Sequence, residues 1–111
     1  MEGCFMRFYF QESQHCQGRP AWEWLLEQAN RIGVRGGSAF RAMAGFGHHH
    51  HLMEEHFFEL AGTTAVEVEF VVTEAESAQL IGLLQRENLR VFYARTAAEF
   101  GLINPDASDL A

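Results

Sequence analysis

Four consecutive histidines, His48 to His51, with Glu54, Glu55 and His56 close behind, form the densest group of metal-ligating and titratable side chains in the chain. Neutral imidazole nitrogens bind zinc, nickel or copper. In an extended segment His49 and His51 share one side while His48 and His50 share the other. His49, His51 and His56 would then offer three metal ligands from a single loop. Consecutive histidines hold metal weakly and with little selectivity unless neighbouring groups fix their tautomers. Two other readings compete with the metal site: a solvated, adaptable loop, and a loop that closes over a small ligand or a partner. Gly45-Phe46-Gly47 stands directly before the run, and glycines beside an aromatic residue let a ligand or another backbone approach closely.

No other chemistry declares itself. There is no Ser-His-Asp set, no pair of catalytic carboxylates at recognisable spacing and no phosphate-binding P-loop, so an enzyme is not expected. Cys4 and Cys16 make neither a disulfide framework nor a paired ligand motif and read as free thiols. Cys16 beside His15 is the one candidate reactive pair.

The charge narrows the partners. A formal net charge of −7, with no lysine and arginines scattered along the chain, argues against binding nucleic acid through its phosphates. The histidines move this balance near pH 6. No apolar run approaches the ~20 residues that cross a bilayer. The N-terminal MEGCFMRFYF is too short and too charged for a signal peptide, so a cytoplasmic protein without membrane insertion is expected. The length suits one domain, residues 1–100, with a tail at 101–111.

The elements that must hold these residues can be read from periodicity. In residues 4–10, Cys4, Met6, Phe8 and Phe10 line one face and Phe5, Arg7 and Tyr9 the other, as in a strand covered on both sides. Pro20 opens a helix whose apolar stripe is Trp22, Leu25, Leu26, Ala29 and Ile32, with Trp24 to the side and Gly33 as its stop. Residues 37–46 predict a second strand, 56–60 an extended piece and 61–64 a turn. Residues 65–72 alternate Val66, Val68, Phe70 and Val72 inward against Glu67 and Glu69 outward. If that outward face is enclosed, its carboxylates need arginine partners or water, and Arg7 and Arg41 are the candidates. Thr73 and Glu76 make a capping box for a helix running to about Asn88, and 89–95 predict the last strand. Strand, helix, strand, strand, helix, strand is the order of an α+β, ferredoxin-like βαββαβ sandwich, a four-stranded antiparallel sheet with two helices on one face. The uncovered face, apolar in places, predicts self-association.

The chain resembles the PII-like superfamily of nitrogen regulatory proteins, and within it the uncharacterised domain of unknown function 190 family. The motifs that carry the resemblance are Glu12-Ser13, Gly18-Arg19-Pro20, Gly33-Val34-Arg35-Gly36-Gly37 and Met43-Ala44-Gly45-Phe46-Gly47. The resemblance implies a homotrimeric signalling protein with small-molecule clefts between subunits, acting through the loop at 47–56. It also implies an adenine nucleotide as candidate ligand and association with a membrane ion transporter or channel. Gly45, Phe46, Gly47, His48 and His49 would shape the cleft, with Arg86 and Arg90, and also Arg95, available to phosphates. The chain departs from PII proteins before the last strand, where Gln85 to Arg90 replace a Gly-Asp-Gly-Lys loop. The alternative within the same superfamily is a divalent-metal-binding, metal-tolerance-like protein using His49, His51 and His56.

Overall fold

The computed structural model describes residues 1–46, 53–54 and 65–108, with 53 and 54 as backbone alone. Strand β1 (Glu2–Gln11) leads through a small hairpin, β2 (His15–Cys16) and β3 (Arg19–Pro20), into helix α1 (Ala21–Arg31). Strands β4 (Gly37–Arg41), β5 (Ala44–Gly45), β6 (Met53–Glu54) and β7 (Ala65–Val72) follow, then helix α2 (Glu74–Arg86) and strand β8 (Phe92–Glu99). The main sheet runs β4-β7-β1-β8, antiparallel throughout. It is the ferredoxin-like sandwich: each half of the chain supplies one central strand and one edge strand, joined across a helix.

Alternation decides the faces. Cys4, Met6, Phe8 and Phe10 lie opposite Val72, Phe70, Val68 and Val66, and all eight are buried against the helices. Phe8 and Phe70 meet edge-on with ring centroids 6.0 Å apart. Leu25 of α1 and Leu80 of α2 close the layer from above, both fully buried. Each such side chain contributes about 1.5–3 kcal/mol by leaving water. The predicted capping box at the start of α2 is present: Thr73 Oγ1 accepts from the Glu76 N–H at 3.2 Å, and Glu76 Oε1 accepts from the Thr73 N–H at 2.9 Å. Gly33, at φ +90°, ends α1 in the left-handed conformation that a side chain would strain.

Several sequence expectations need correction. Trp24, 4% exposed, is the core tryptophan, while Trp22 is only partly buried. Ala21, 0% exposed, belongs to the buried stripe. At about 100° per residue that moves the centre of the stripe toward Ala21 and Leu25 and rolls Trp24 inward. The predicted second strand divides into β4 and β5, because β5 leaves the sheet to pair with β6. The last strand runs 92–99 rather than 89–95, since its pairing with β1 begins at Phe92↔Tyr9 and continues to Glu99↔Glu2. Leu89 and Val91 instead pack on the core from the connection. The extended piece at 56–60 and the turn at 61–64 lie outside the described residues.

Candidate ligand-binding site

Four of the residues singled out by sequence, Gly45, Phe46, Arg86 and Arg90, fall at one end of the sheet, near its two opposite edges. Gly45 and Phe46 stand at the base of the β5–β6 hairpin, where Gly45 pairs with Met53 and Ala44 with Glu54. The hairpin leaves β4 just beyond Arg41↔Val66, and the Ala42 N–H donates to the Ala65 carbonyl at 2.9 Å. Arg86 closes α2 and Arg90 lies in the connection to β8; both are exposed. Gln14 Nε2 ties that connection to the end of β1 by donating to the Arg90 carbonyl at 3.1 Å. Three strand spacings separate the two edges, about 14 Å at ~4.8 Å per strand. One chain therefore does not bring Gly45 and Phe46 together with Arg86 and Arg90. Gly47, His48, His49, His51 and His56 lie outside the described residues. Among the described residues no three His, Cys, Asp or Glu side chains converge as metal ligands.

Two arginines are committed elsewhere. Arg95 Nη1 donates to the buried Ser77 Oγ at 3.1 Å, which ties the exposed side chain to α2. Arg41 pairs with Glu12 at 2.6 Å rather than with Glu67 or Glu69. The two members of the candidate thiol pair have other partners: His15 Nδ1 lies 2.7 Å from the Ser13 carbonyl, and Cys16 Sγ donates to Glu87 Oε1 at 3.4 Å. Burial, reinforced by that hydrogen bond, pushes the Cys16 thiol up to about 11.

Among the described residues an open concave surface lies at the other end of the sheet, and sequence reasoning did not single it out as a site. A cleft of about 790 Å³ is walled by Phe5, Glu69 and Val71 of the sheet, by Arg35 to Ser38 at the start of β4, and by Phe100 to Leu102 after β8. A smaller cavity of about 250 Å³ adjoins it behind Arg35 to Gly37, against α1. Gly37 is needed at the junction, because a Cβ there would sit 2.5 Å from Phe70 Cε1. Apolar rings and aliphatic groups dominate the walls, as in small-molecule sites generally. Arg35 is the only cation among them, and among the described residues it has no ion-pair partner. The quoted run Gly33 to Gly37 was the available signal, but nothing in it shows that Phe100 to Leu102 return beside it.

The open face of the sheet borders this cleft. Arg7 Nε stands 3.1 Å from Glu67 Oε1 and 3.4 Å from Glu69 Oε2, an arrangement that sequence alternation anticipated for Arg7. Around this triad the face is aromatic: Phe5 lies under the Arg7 guanidinium at 5.1 Å, and Tyr9 meets Phe92 at 5.6 Å. Phe40 and Phe92 are 53% and 74% exposed, more apolar surface than a lone sheet face ordinarily leaves wet. Among the described residues no helix is long and apolar enough to cross a membrane.

The fold recurs in solved structures. One is a PII-like signaling protein from Thermus thermophilus (TM-score 0.63, 16% identity, 87% of each chain covered). Another is CPII from Thiomonas intermedia K12, a nitrogen regulatory PII-like protein bound to ADP, AMP and bicarbonate (TM-score 0.66, 16% identity, 92% and 91% covered). At such identities the likeness is one of fold. In sequence the chain is 28% identical over 96 residues to a UPF0166 protein of Aquifex aeolicus (strain VF5), covering 79% of this chain and 91% of the relative. The sequence model of DUF190, described as "Uncharacterized ACR, COG1993", matches residues 3–91, and the chain belongs to that family.

Proposed function

We propose that the protein is a PII-like regulator, not an enzyme, that assembles as a homotrimer and binds a small anionic ligand in clefts between subunits. An adenine nucleotide is the candidate ligand. The carrying observation is that the site is divided. In one chain the Arg35 cleft occupies one end of the sheet, while Gly45 and Phe46 with Arg86 and Arg90 occupy the other. Sister copies packed on the open sheet face bring the cleft of one copy toward the hairpin base of the next. The base of the ligand lies on the apolar wall of Phe5, Val71 and Phe100, and Arg35 faces its anionic end. A chain of net charge −7 repels anions at long range, so a lone unpaired arginine in the cleft has a disproportionate effect. The solved relative with ADP and AMP supports the ligand class. The ligand acts through the loop at 47–56, with Gly47, His48 and His49 at its start, and shifts the population of the conformer that a partner protein recognises. The partner is a membrane ion transporter or channel met from the cytoplasm.

Calorimetric titration with ADP, AMP and adenosine tests this. A charge-assisted contact of about 1.5–3 kcal/mol makes AMP bind roughly tenfold or more tighter than adenosine. Arg35→Gln removes that preference while leaving adenosine binding unchanged. No saturable heat with any of the three, or equal affinity for AMP and adenosine, overturns the reading.

A further inference from the structure

Each copy brings one guanidinium and two carboxylates to the open sheet face. Arg7 shares its Nε between Glu67 and Glu69, and the triad carries an excess negative charge. In the single chain this is tolerable, because the Arg7 side chain is 47% exposed and the two carboxylates are 26% and 24% exposed. Covering the face removes the water. By register, Glu67 stands between Tyr9 of β1 and Phe40 of β4, and Glu69 between Arg7 and Ser38. Beyond β1, strand β8 offers Phe92, Ala94 and Thr96. The titratable or charged groups that face Glu67 among the described residues are therefore Arg7, Tyr9 and Glu69. The helices lie on the other side of the sheet.

Symmetry sharpens the difficulty. Arg7 is the only arginine on this face among the described residues that reaches the glutamates, so every copy that covers it arrives with the same surplus of carboxylate. Counting the described residues of this face, adding copies does not restore neutrality. A buried uncompensated charge costs several kcal/mol, and carboxylates in that position take a proton instead. Glu67 is the natural acceptor. Its Oε1 is closed to solvent and meets Arg7 Nε at 3.1 Å as an ion pair without the alignment of a hydrogen bond. Burial, then the hydrogen bond with and the charge of Glu69, push its carboxyl above the usual carboxylate range, with Arg7 opposing. The Arg7 guanidinium is itself held higher by its hydrogen bond with Tyr9, so it keeps its proton.

Resting on the assembly proposed above, we infer that pairing of the open sheet faces takes up about one proton per subunit, held by Glu67. Proton uptake means that assembly is favoured by acid and weakened as pH rises through the triad's titration. The limiting dependence is roughly tenfold in association constant per subunit per pH unit, or about a thousandfold for a trimer. The triad then works as a proton-linked latch.

Sedimentation velocity on the full-length protein, diluted at about pH 5.5, 7 and 8.5, reads this slope. Where assembly is too tight to dilute apart, the urea concentration that dissociates it carries the same slope. The expected result is assembly that weakens with pH in the unaltered protein, and stronger assembly with little pH dependence in Glu67→Gln. Arg7→Gln, with two carboxylates and no cation, should steepen the dependence. Circular dichroism confirms that each variant is folded. Assembly that is indifferent to pH, or an equal slope in Glu67→Gln, overturns the inference and leaves the trimer standing. Loss of assembly on chelation of divalent cations makes a metal ion the balancing charge and also overturns it. A monomer under every condition defeats both the inference and the assembly it rests on.

Discussion

A single methyl group at Gly37 tests whether the junction between cleft and core is as tight as the structure shows. The Cβ of Gly37→Ala would lie 2.5 Å from Phe70 Cε1, 2.7 Å from Phe70 Cδ1 and 3.0 Å from Leu26 Cδ2. Carbon atoms rest at about 3.5–4.0 Å, so the Phe70 ring must retreat by about 1 Å. It has little room, being 2% exposed and edge-on against Phe8. Overpacking of this kind costs about 1–3 kcal/mol. Restricting the unfolded chain returns about 0.4–1 kcal/mol. The net loss is therefore roughly 1–2 kcal/mol, or a fall in Tm of about 5–10 °C at fixed protein concentration. Gly36 is the control, since a Cβ there meets nothing within 4 Å and Gly36→Ala should hold or slightly raise Tm. Urea denaturation followed by circular dichroism measures both. In a double-mutant cycle, Phe70→Leu should cost less in the Gly37→Ala background than alone, with a coupling of about 1 kcal/mol. Equal losses at Gly36 and Gly37, or a cycle without coupling, would refute the reasoning.

Three further outcomes follow from the core and the caps. Phe8→Ala removes a side chain 1% exposed that touches both Phe70 and Tyr93, and should lower the unfolding free energy by about 3–5 kcal/mol in the same urea assay. Thr73→Ala breaks the capping box and should cost about 1 kcal/mol, whereas Thr73→Ser should recover most of it. Cys16, pushed up to about 11, is about one part in a thousand thiolate near pH 8. Peptide mapping after iodoacetamide should find it unmodified until the protein unfolds, and Glu87→Gln should hasten the reaction by removing the carboxylate that raises the thiol.

Periodicity carried the fold because both central strands alternate cleanly. Once Cys4, Met6, Phe8 and Phe10 and the alternating valines of 65–72 are placed face to face, the helices have one side to occupy. Arg7 was legible as the partner of the outward glutamates for the same reason. Trp24 was not, because a stripe read from large residues alone overlooks Ala21, which sets the roll of the helix. Arg41 and Arg95 escaped because their partners, Glu12 and Ser77, stand 29 and 18 residues away and no local pattern announces such contacts. The cleft escaped for a related reason. Its walls come from four separate stretches, and only the register of β8, three or four residues later than expected, carries Phe100 to Leu102 alongside Arg35.

The strand order β4-β7-β1-β8 has a consequence for how the polypeptide must be made. The middle two ribbons come from opposite halves of the sequence, and each is flanked by at least one ribbon from the other half. A break between residues 46 and 65 would therefore leave two fragments, neither holding two neighbouring ribbons of the main sheet. Mixed together, each would be the template on which the other takes shape, a natural split pair whose reunion could report on proximity.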